Sequence, residues 1–177
     1  AIRRELSFLG WADHVAPIGE VTFDGVEVPV ENLIGTRGEG FKGAQVRLGP
    51  ARVHHSMRCI GMAEMLVEQM IARAKERSTF GRAVIDYDTV QGWIAEARVE
   101  IEQARLLVQR AAWLLDRAET RDTWRQVSLI KVAVPRMLQK IADRAIQLFG
   151  AMGGTEETLI HHAFAYARWF RIGDGPD

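Results

Sequence analysis

The chain has 177 residues, 47% of them hydrophobic and 26% charged, which is ordinary soluble globular composition and enough to bury a core without disulfides or metals. Lys+Arg and Asp+Glu both number 23, and this balance argues against a nucleic-acid groove or an anionic membrane surface as the principal partner. No apolar run approaches the ~20 residues that a membrane span needs.

Residues 1 to about 34 read as β-structure. Val21-Thr22-Phe23 and Val26-Glu27-Val28 flank Asp24-Gly25, a two-residue hairpin signal, and Leu6 to Trp11 is a further strand candidate interrupted by Gly10. Some 30 residues of this kind are too few for a stable sheet and must pack on something else. Gly38-Glu39-Gly40-Phe41-Lys42-Gly43 satisfies G-x-G-x-x-G, but a dinucleotide fold needs that motif inside a βαβ unit and only helices follow, so it is read as a turn into a helix. A first helix is expected from Phe41 to about Ser78, passing Pro50, and Ser78 to Arg82 breaks it.

From Gly92 to Arg117 the residues Ile94, Ala97, Ile101, Ala104, Val108, Ala111 and Leu115 recur in steps of 3 and 4, the mark of one apolar helical stripe. Such a stripe requires partner helices, and this segment is expected to be the one the others pack around. Asp88 or Thr89 can cap it. A third helix is expected from about Thr123 to Phe149 and a fourth from Thr155-Glu156-Glu157 to about Arg171, with glycines ending both. The sum is a mostly α fold, an antiparallel four-helix bundle behind a short β segment.

Several residue groups carry potential chemistry. His54-His55 and His161-His162 are adjacent pairs, whose members point about 100° apart on a helix, so no metal site is expected. Cys59 is the only cysteine, which excludes an internal disulfide, fits a reducing, cytoplasmic compartment, and places an inert thiol in an apolar helical run. Arg77, Thr79 and Phe80 combine a guanidinium, a hydroxyl and an aromatic ring at a helix end, which suits a phosphate plus a flat ring; a helix cap explains the same residues. Gly173-Asp174-Gly175-Pro176-Asp177 sets two carboxylates in a glycine-rich turn after an apolar helix, where a carboxylate can become a base near neutrality; solvated acids beyond a C-cap remain the alternative.

In order and spacing, five segments resemble the acyl-CoA dehydrogenase family. They are Gly38–Phe41, Leu48-Gly49-Pro50-Ala51-Arg52, Glu76-Arg77-Ser78-Thr79-Phe80-Gly81, Gln147-Leu148-Phe149-Gly150-Ala151-Met152-Gly153-Gly154, and Gly173–Asp177. The forms around Arg52 and Asp174 are most similar to the branch that includes animal mitochondrial enzymes fused to a kinase-like domain. The resemblance implies an FAD-dependent enzyme desaturating an acyl-CoA between its α and β carbons, passing electrons to an electron-transfer protein and assembling as a homodimer or homotetramer. It implies residues 1–36 as the end of a middle β-domain and 37–177 as a C-terminal helical domain, so the chain, which begins at Ala1, is expected to be part of a longer polypeptide and inactive alone. It also implies Asp174 as the base, with Asp177 a second candidate, and Arg52 and Gly175 at the substrate thioester. Arg77, Thr79, Phe80, Gln147, Leu148, Gly150 and Ala151 would border FAD. Three positions depart from the family's pattern: Asp174 stands where many members carry Glu, Ala151 where Gly is common, and Asp88 where Gln is frequent. A helical oligomerisation module, and an oxidase-like flavoprotein of the same fold, are the competing readings.

Overall fold

A computed structural model describes residues 1–10, 18–117 and 120–177, and divides the chain into two compact units, Ala1–Leu48 and Gly49–Asp177. In the first unit, strands β1 (Ile2–Leu6) and β2 (Ile18–Val21) pair antiparallel, with Leu6 opposite Ile18 and a register irregularity between Ile2 and Arg4. Arg4 and Glu20 face each other in this ladder and form a 2.8 Å ion pair. The expected hairpin about Asp24-Gly25 does not form: residues 26–28 are not a strand, and Val30–Asn32 is a short 3-10 turn. Two-residue turn chemistry marks only a bend at Gly25 (φ +54°), because β2 takes its hydrogen bonds from β1 instead. The Leu6–Trp11 strand is likewise displaced to Ile2–Leu6, and Trp11 lies outside the described residues. Phe23, Val26, Val28, Val30 and Ile34 are all exposed in this chain.

Helix α1 runs from Gly40 to Glu76 with Pro50 inside it, and a two-residue ladder of β3 (Ser78–Thr79) with β4 (Arg82–Ala83) follows it. Then come α2 (Asp88–Leu115), α3 (Arg121–Phe149) and α4 (Ile160–Phe170). The expected polar connection after Arg117 includes residues 118–119, which are outside those described.

Charge pairs report the helix directions in the second unit. Lys140 of α3 reaches both Glu96 and Glu100 of α2, and Arg144, one turn further along α3, returns to Glu96. Rising numbers on α3 thus meet falling numbers on α2, so the two are antiparallel. Glu64 of α1 is held by Arg98 and by Arg105 of α2, while Gly49 near the start of that unit's share of α1 faces Leu115 and Trp124. These exposed pairs contribute little energy each, about 0–1 kcal/mol, and act mainly to favour one orientation.

Burial corrects the expected centre of the bundle. The α2 stripe is real: Ala97, Ile101, Ala104, Val108 and Ala111 are buried in steps of 4 and 3. Yet α3 buries twelve residues against six of α2, and it packs on both α2 and α4. Its inner face was hidden from periodicity by Thr123, Gln126 and Lys131, which are polar and buried. Thr120 caps α3 through a reciprocal bond with Thr123, so the helix starts two residues ahead of the expected Thr123. Neither Asp88 nor Thr89 caps α2; Tyr87 occupies that position without a side-chain cap bond. The last helix also begins late, at Ile160, because Gly150–Gly154 forms a 3-10 turn and Thr155 closes onto Met152. Among the described residues no helix is long and apolar enough to cross a membrane.

Candidate functional site

The last seven residues fold back on the end of α4. The amides of Ile172 and Gly173 both donate to the Trp169 carbonyl at 2.8 Å, and the Asp177 amide donates to Arg171. A Cβ at Gly173 would sit 3.0 Å from the Trp169 ring, so a larger residue there requires that ring to give way. Asp174 follows in the left-handed region (φ +57°), with Gly175 at φ +102° beside it. Asp is among the few side chains that tolerate such a backbone.

Arg52 of α1 secures this turn. Its Nε and one terminal nitrogen donate to the Asp174 carbonyl at 3.1 and 2.6 Å. A Cβ at Gly175 would meet that same guanidinium at 3.3 Å. His55, one turn further along α1, presents Nε2 to Asp174 Oδ2 at 3.5 Å, and its Nδ1 lies 3.0 Å from the Tyr166 hydroxyl of α4. Beneath the turn, Lys131 of α3 donates to the Phe170 carbonyl at 2.5 Å and lies 4.8 Å from the Phe170 ring centre. Burial holds the Lys131 ammonium below its ordinary pKa, while the nearby Asp177 and Asp174 charges oppose that shift.

The two carboxylates of the turn differ sharply. Asp177 Oδ2 is pinned by Arg136 at 2.8 Å and by Arg171 at 2.9 Å. The Arg136 hydrogen bond, helped by Arg171, pulls its pKa below the usual carboxylate value. Among the described residues no guanidinium is paired with the Asp174 carboxylate; its side chain is 19% exposed, with the His55 imidazole 3.5 Å from Oδ2. Of the two, Asp174 is the one whose carboxylate is not paired with arginine.

A second group of predicted residues gathers elsewhere. Thr79 and Arg82 pair across the tiny ladder, leaving Phe80 (φ +51°) and Gly81 (φ +82°) at its tip with the Phe80 ring fully exposed. Tyr87 braces this tip by donating to the Thr79 carbonyl at 2.8 Å, and the Arg82 guanidinium lies 3.7 Å over the Tyr87 ring. Arg77 is exposed at the end of α1. At the end of α3, Gln147, Gly150 and Ala151 are exposed and Leu148 is half-buried, with Gly150 at φ +70°, ψ −146°, a conformation that glycine alone adopts without strain. Glu76 and Arg73 beside the first set, and Phe149 and Met152 beside the second, line one open cavity of about 470 Å³. An outward cation, an outward ring and an uncluttered glycine are what a dinucleotide lying across this end would meet, so these residues fit such a group.

Arg52 and Arg77 are not brought together. Some 24 helical residues separate Arg52 from Glu76, roughly 36 Å of α1. The predicted residues therefore form two sites at opposite ends of the unit. Sequence reasoning missed His55 and Tyr166 as companions of Asp174; the available signal was the three-residue spacing of Arg52 and His55 on one helix face. His161 and His162 lie with ring centres 4.0 Å apart and planes tilted by 38°, and among the described residues no three His, Cys, Asp or Glu side chains gather as a metal site. Burial pushes the Cys59 thiol up to about 12, so it stays protonated and unreactive.

Residues 38–177 match the C-terminal domain of acyl-CoA dehydrogenases. The chain belongs to the acyl-CoA dehydrogenase family. It is 44% identical over 175 residues to acyl-CoA dehydrogenase family member 11 of Gallus gallus, covering 98% of this chain and 22% of that protein. It is 41% identical over 176 residues to a probable acyl-CoA dehydrogenase of Mycobacterium tuberculosis, covering 99% of this chain and 43% of that one. A solved putative acyl-CoA dehydrogenase from Mycobacterium abscessus superposes with a TM-score of 0.95 at 42% identity, over 100% of this chain and 44% of the other. The chain thus spans less than half the length of each of these relatives.

Proposed function

We propose that this chain is the C-terminal part of an FAD-dependent acyl-CoA dehydrogenase that introduces a double bond between the α and β carbons of an acyl-CoA, with Asp174 as the base. The observation that carries this is the contrast within the terminal turn: Asp177 is neutralised by two arginines, whereas Asp174 is shielded, held by its backbone and, among the described residues, not paired with a guanidinium through its carboxylate. Asp174 takes the α-proton. Bound FAD supplies the acceptor for the hydride that leaves the β carbon. The Gly175 amide is the donor assigned to the thioester carbonyl, where it stabilises the charge that develops as the α-proton leaves. Arg52 keeps Asp174 and Gly175 in register for those two tasks.

Arg77, Thr79, Phe80, Gln147, Leu148, Gly150 and Ala151 are the residues assigned to FAD, Arg77 to its pyrophosphate. Their distance from Asp174 along α1 is consistent with service to the site of another subunit in a homodimer or homotetramer. On this reading residues 1–36 end a middle β-domain, an electron-transfer protein is the physiological acceptor, and the 177-residue chain alone does not turn over.

The test is an absorption spectrum of the whole gene product, purified without added flavin. Flavin bands that bleach on addition of an acyl-CoA support the reading, and Asp174→Asn should keep the bands while abolishing the bleaching. A colourless protein that takes up no FAD on reconstitution would refute it and favour a helical oligomerisation module.

A further inference from the structure

We propose that His55, oriented by Tyr166, is a positioning residue that aims the Asp174 carboxylate and reserves one of its oxygens for the substrate proton. This rests on the reading of Asp174 as the base. The three groups come from separate parts of the chain: His55 from α1, Tyr166 from α4 and Asp174 from the terminal turn. His55 is 20% exposed by side chain and is wedged among rings, its centre 5.1 Å from that of Phe170 and 6.1 Å from that of Trp169. Asp174 Oδ2 is buried and makes no hydrogen bond among the described residues, and the imidazole Nε2 stands 3.5 Å from it, a gap that a small ring movement closes.

A neutral imidazole carries one N–H, and the partner of one nitrogen decides which nitrogen bears it. When the Tyr166 hydroxyl donates to Nδ1, the proton resides on Nε2 and points at Asp174 Oδ2. The other tautomer would set the Nε2 lone pair against the carboxylate. Oδ2 is thereby engaged, and Oδ1 is left as the proton-accepting oxygen. A neutral donor orients a carboxylate at a smaller cost in basicity than a cationic one, such as the Arg136 and Arg171 bonds that lower the pKa of Asp177. Arg52 and His55, spaced i and i+3 on α1, divide the work: one fixes the backbone of Asp174, the other its side chain.

Among the described residues, several charged and titratable groups stand near His55. His54 is its neighbour on α1 at 5.5 Å between ring centres, and Arg52 is committed to the Asp174 carbonyl. Arg58 lies 5.1 Å over the Tyr166 ring, Lys131 of α3 is bonded to the Phe170 carbonyl, and Asp177 is held by Arg136 and Arg171.

The experiment uses the whole flavin-loaded protein, with anaerobic stopped-flow reduction by whichever of butyryl-, octanoyl- and palmitoyl-CoA bleaches the wild type fastest. His55→Leu should slow reduction at saturating substrate by about tenfold to hundredfold with half-saturation nearly unchanged. His55→Gln, whose amide can replace the Nε2 donor, should restore most of that loss. Tyr166→Phe, which no longer favours the tautomer with its proton on Nε2, should slow reduction in the same direction as His55→Leu with half-saturation nearly unchanged. Thermal unfolding identifies any variant that fails to fold; Tyr166→Phe, nearly isosteric, then carries the decision. A wild-type rate in His55→Leu overturns the proposal, as does His55→Gln no faster than a folded His55→Leu. Bleaching of the wild type but not of Asp174→Asn, with His55→Leu unimpaired, sinks the positioning role alone. Bleaching by Asp174→Asn, or none by the wild type, removes the base reading and this proposal with it.

Discussion

Arg52 grips Asp174 by its backbone carbonyl and not by its carboxylate, with two nitrogens at 3.1 and 2.6 Å. A guanidinium so placed can organise the turn without forming an ion pair with the Asp174 carboxylate. Lys in its place has no planar fork and reaches one lone pair at best. Arg52→Lys should therefore lower the rate of flavin reduction by about tenfold to hundredfold, the worth of a hydrogen bond involving a charged group. Rapid-mixing kinetics on the whole protein, paired with its Tm, would detect this; an unchanged rate would mean that Gly173 and the Trp169 bonds suffice to shape the turn.

Gly175 is constrained twice, by φ +102° and by the Arg52 nitrogen 3.3 Å from where a Cβ would stand. Gly175→Ala is expected to destabilise the protein by about 1–3 kcal/mol, the cost of a side chain in a sparsely allowed region. Denaturant titration with the m-value held fixed measures it. A cost indistinguishable from zero would show that the turn relaxes freely.

The parts of this architecture written in the sequence are the local ones. The stripe from Ala97 to Ala111 is buried as its periodicity requires, because each helix turn repeats the same demand for an apolar face. The central role of α3 was obscured because its inner face includes Lys131, whose burial is offset by the Phe170 carbonyl 39 residues away and by the Asp177 and Asp174 charges. Asp24-Gly25 was misleading for a related reason: β2 found its partner in β1, upstream, and strand pairing outweighed the turn's own preference. At the candidate site, Asp174 was visible through its glycine-flanked turn, but His55 was not, since 119 positions separate two residues that meet only once α1 and α4 have packed.

Gly153 and Gly154 look equivalent in sequence and are not so in structure. A Cβ on Gly153, which is buried, would come within 2.9 Å of the Ile146 Cα and 3.1 Å of its carbonyl, backbone atoms that cannot swing aside. Nothing lies within 4 Å of a Cβ on Gly154. Gly153→Ala should cost about 1–3 kcal/mol by overpacking, lowering Tm by roughly 3–10 °C for a chain of this size. Gly154→Ala should stay within about 0.5 kcal/mol of the wild type. Equal melting temperatures for the two variants would contradict the packing at the end of α3.

Asp177 makes stability depend on acid. Its folded pKa lies below the ordinary 3.8, chiefly through Arg136, so the folded state binds its proton less readily than the unfolded chain does. The contribution is fully present above the unfolded pKa and is lost as pH falls through the folded one. Unfolding free energies taken at pH 7 and near pH 3 should therefore converge more closely in Asp177→Asn than in the wild type. Parallel curves for the two proteins across that window would show that the Arg136 and Arg171 contacts carry no linkage.

Phe80 sets local stability against presentation of its ring. At φ +51° a residue with a Cβ is in a conformation that costs roughly 1–2 kcal/mol and that glycine enters freely. The ring recovers nothing within this chain, since it is completely exposed. A residue that strains its own backbone to hold an aromatic face in open solvent is explained by what that face meets, which in the reading above is FAD. Phe80→Gly should then leave Tm unchanged or raise it, the relief of strain being partly offset by about 0.5–1 kcal/mol of added chain freedom in the unfolded state. The same variant should retain flavin about tenfold less tightly, the ring being worth on the order of 1 kcal/mol or more in stacking. Equilibrium dialysis against FAD separates the two effects. A variant that is destabilised, yet holds flavin as the wild type does, would mean that Phe80 serves the fold of the β3–β4 tip and not the cofactor.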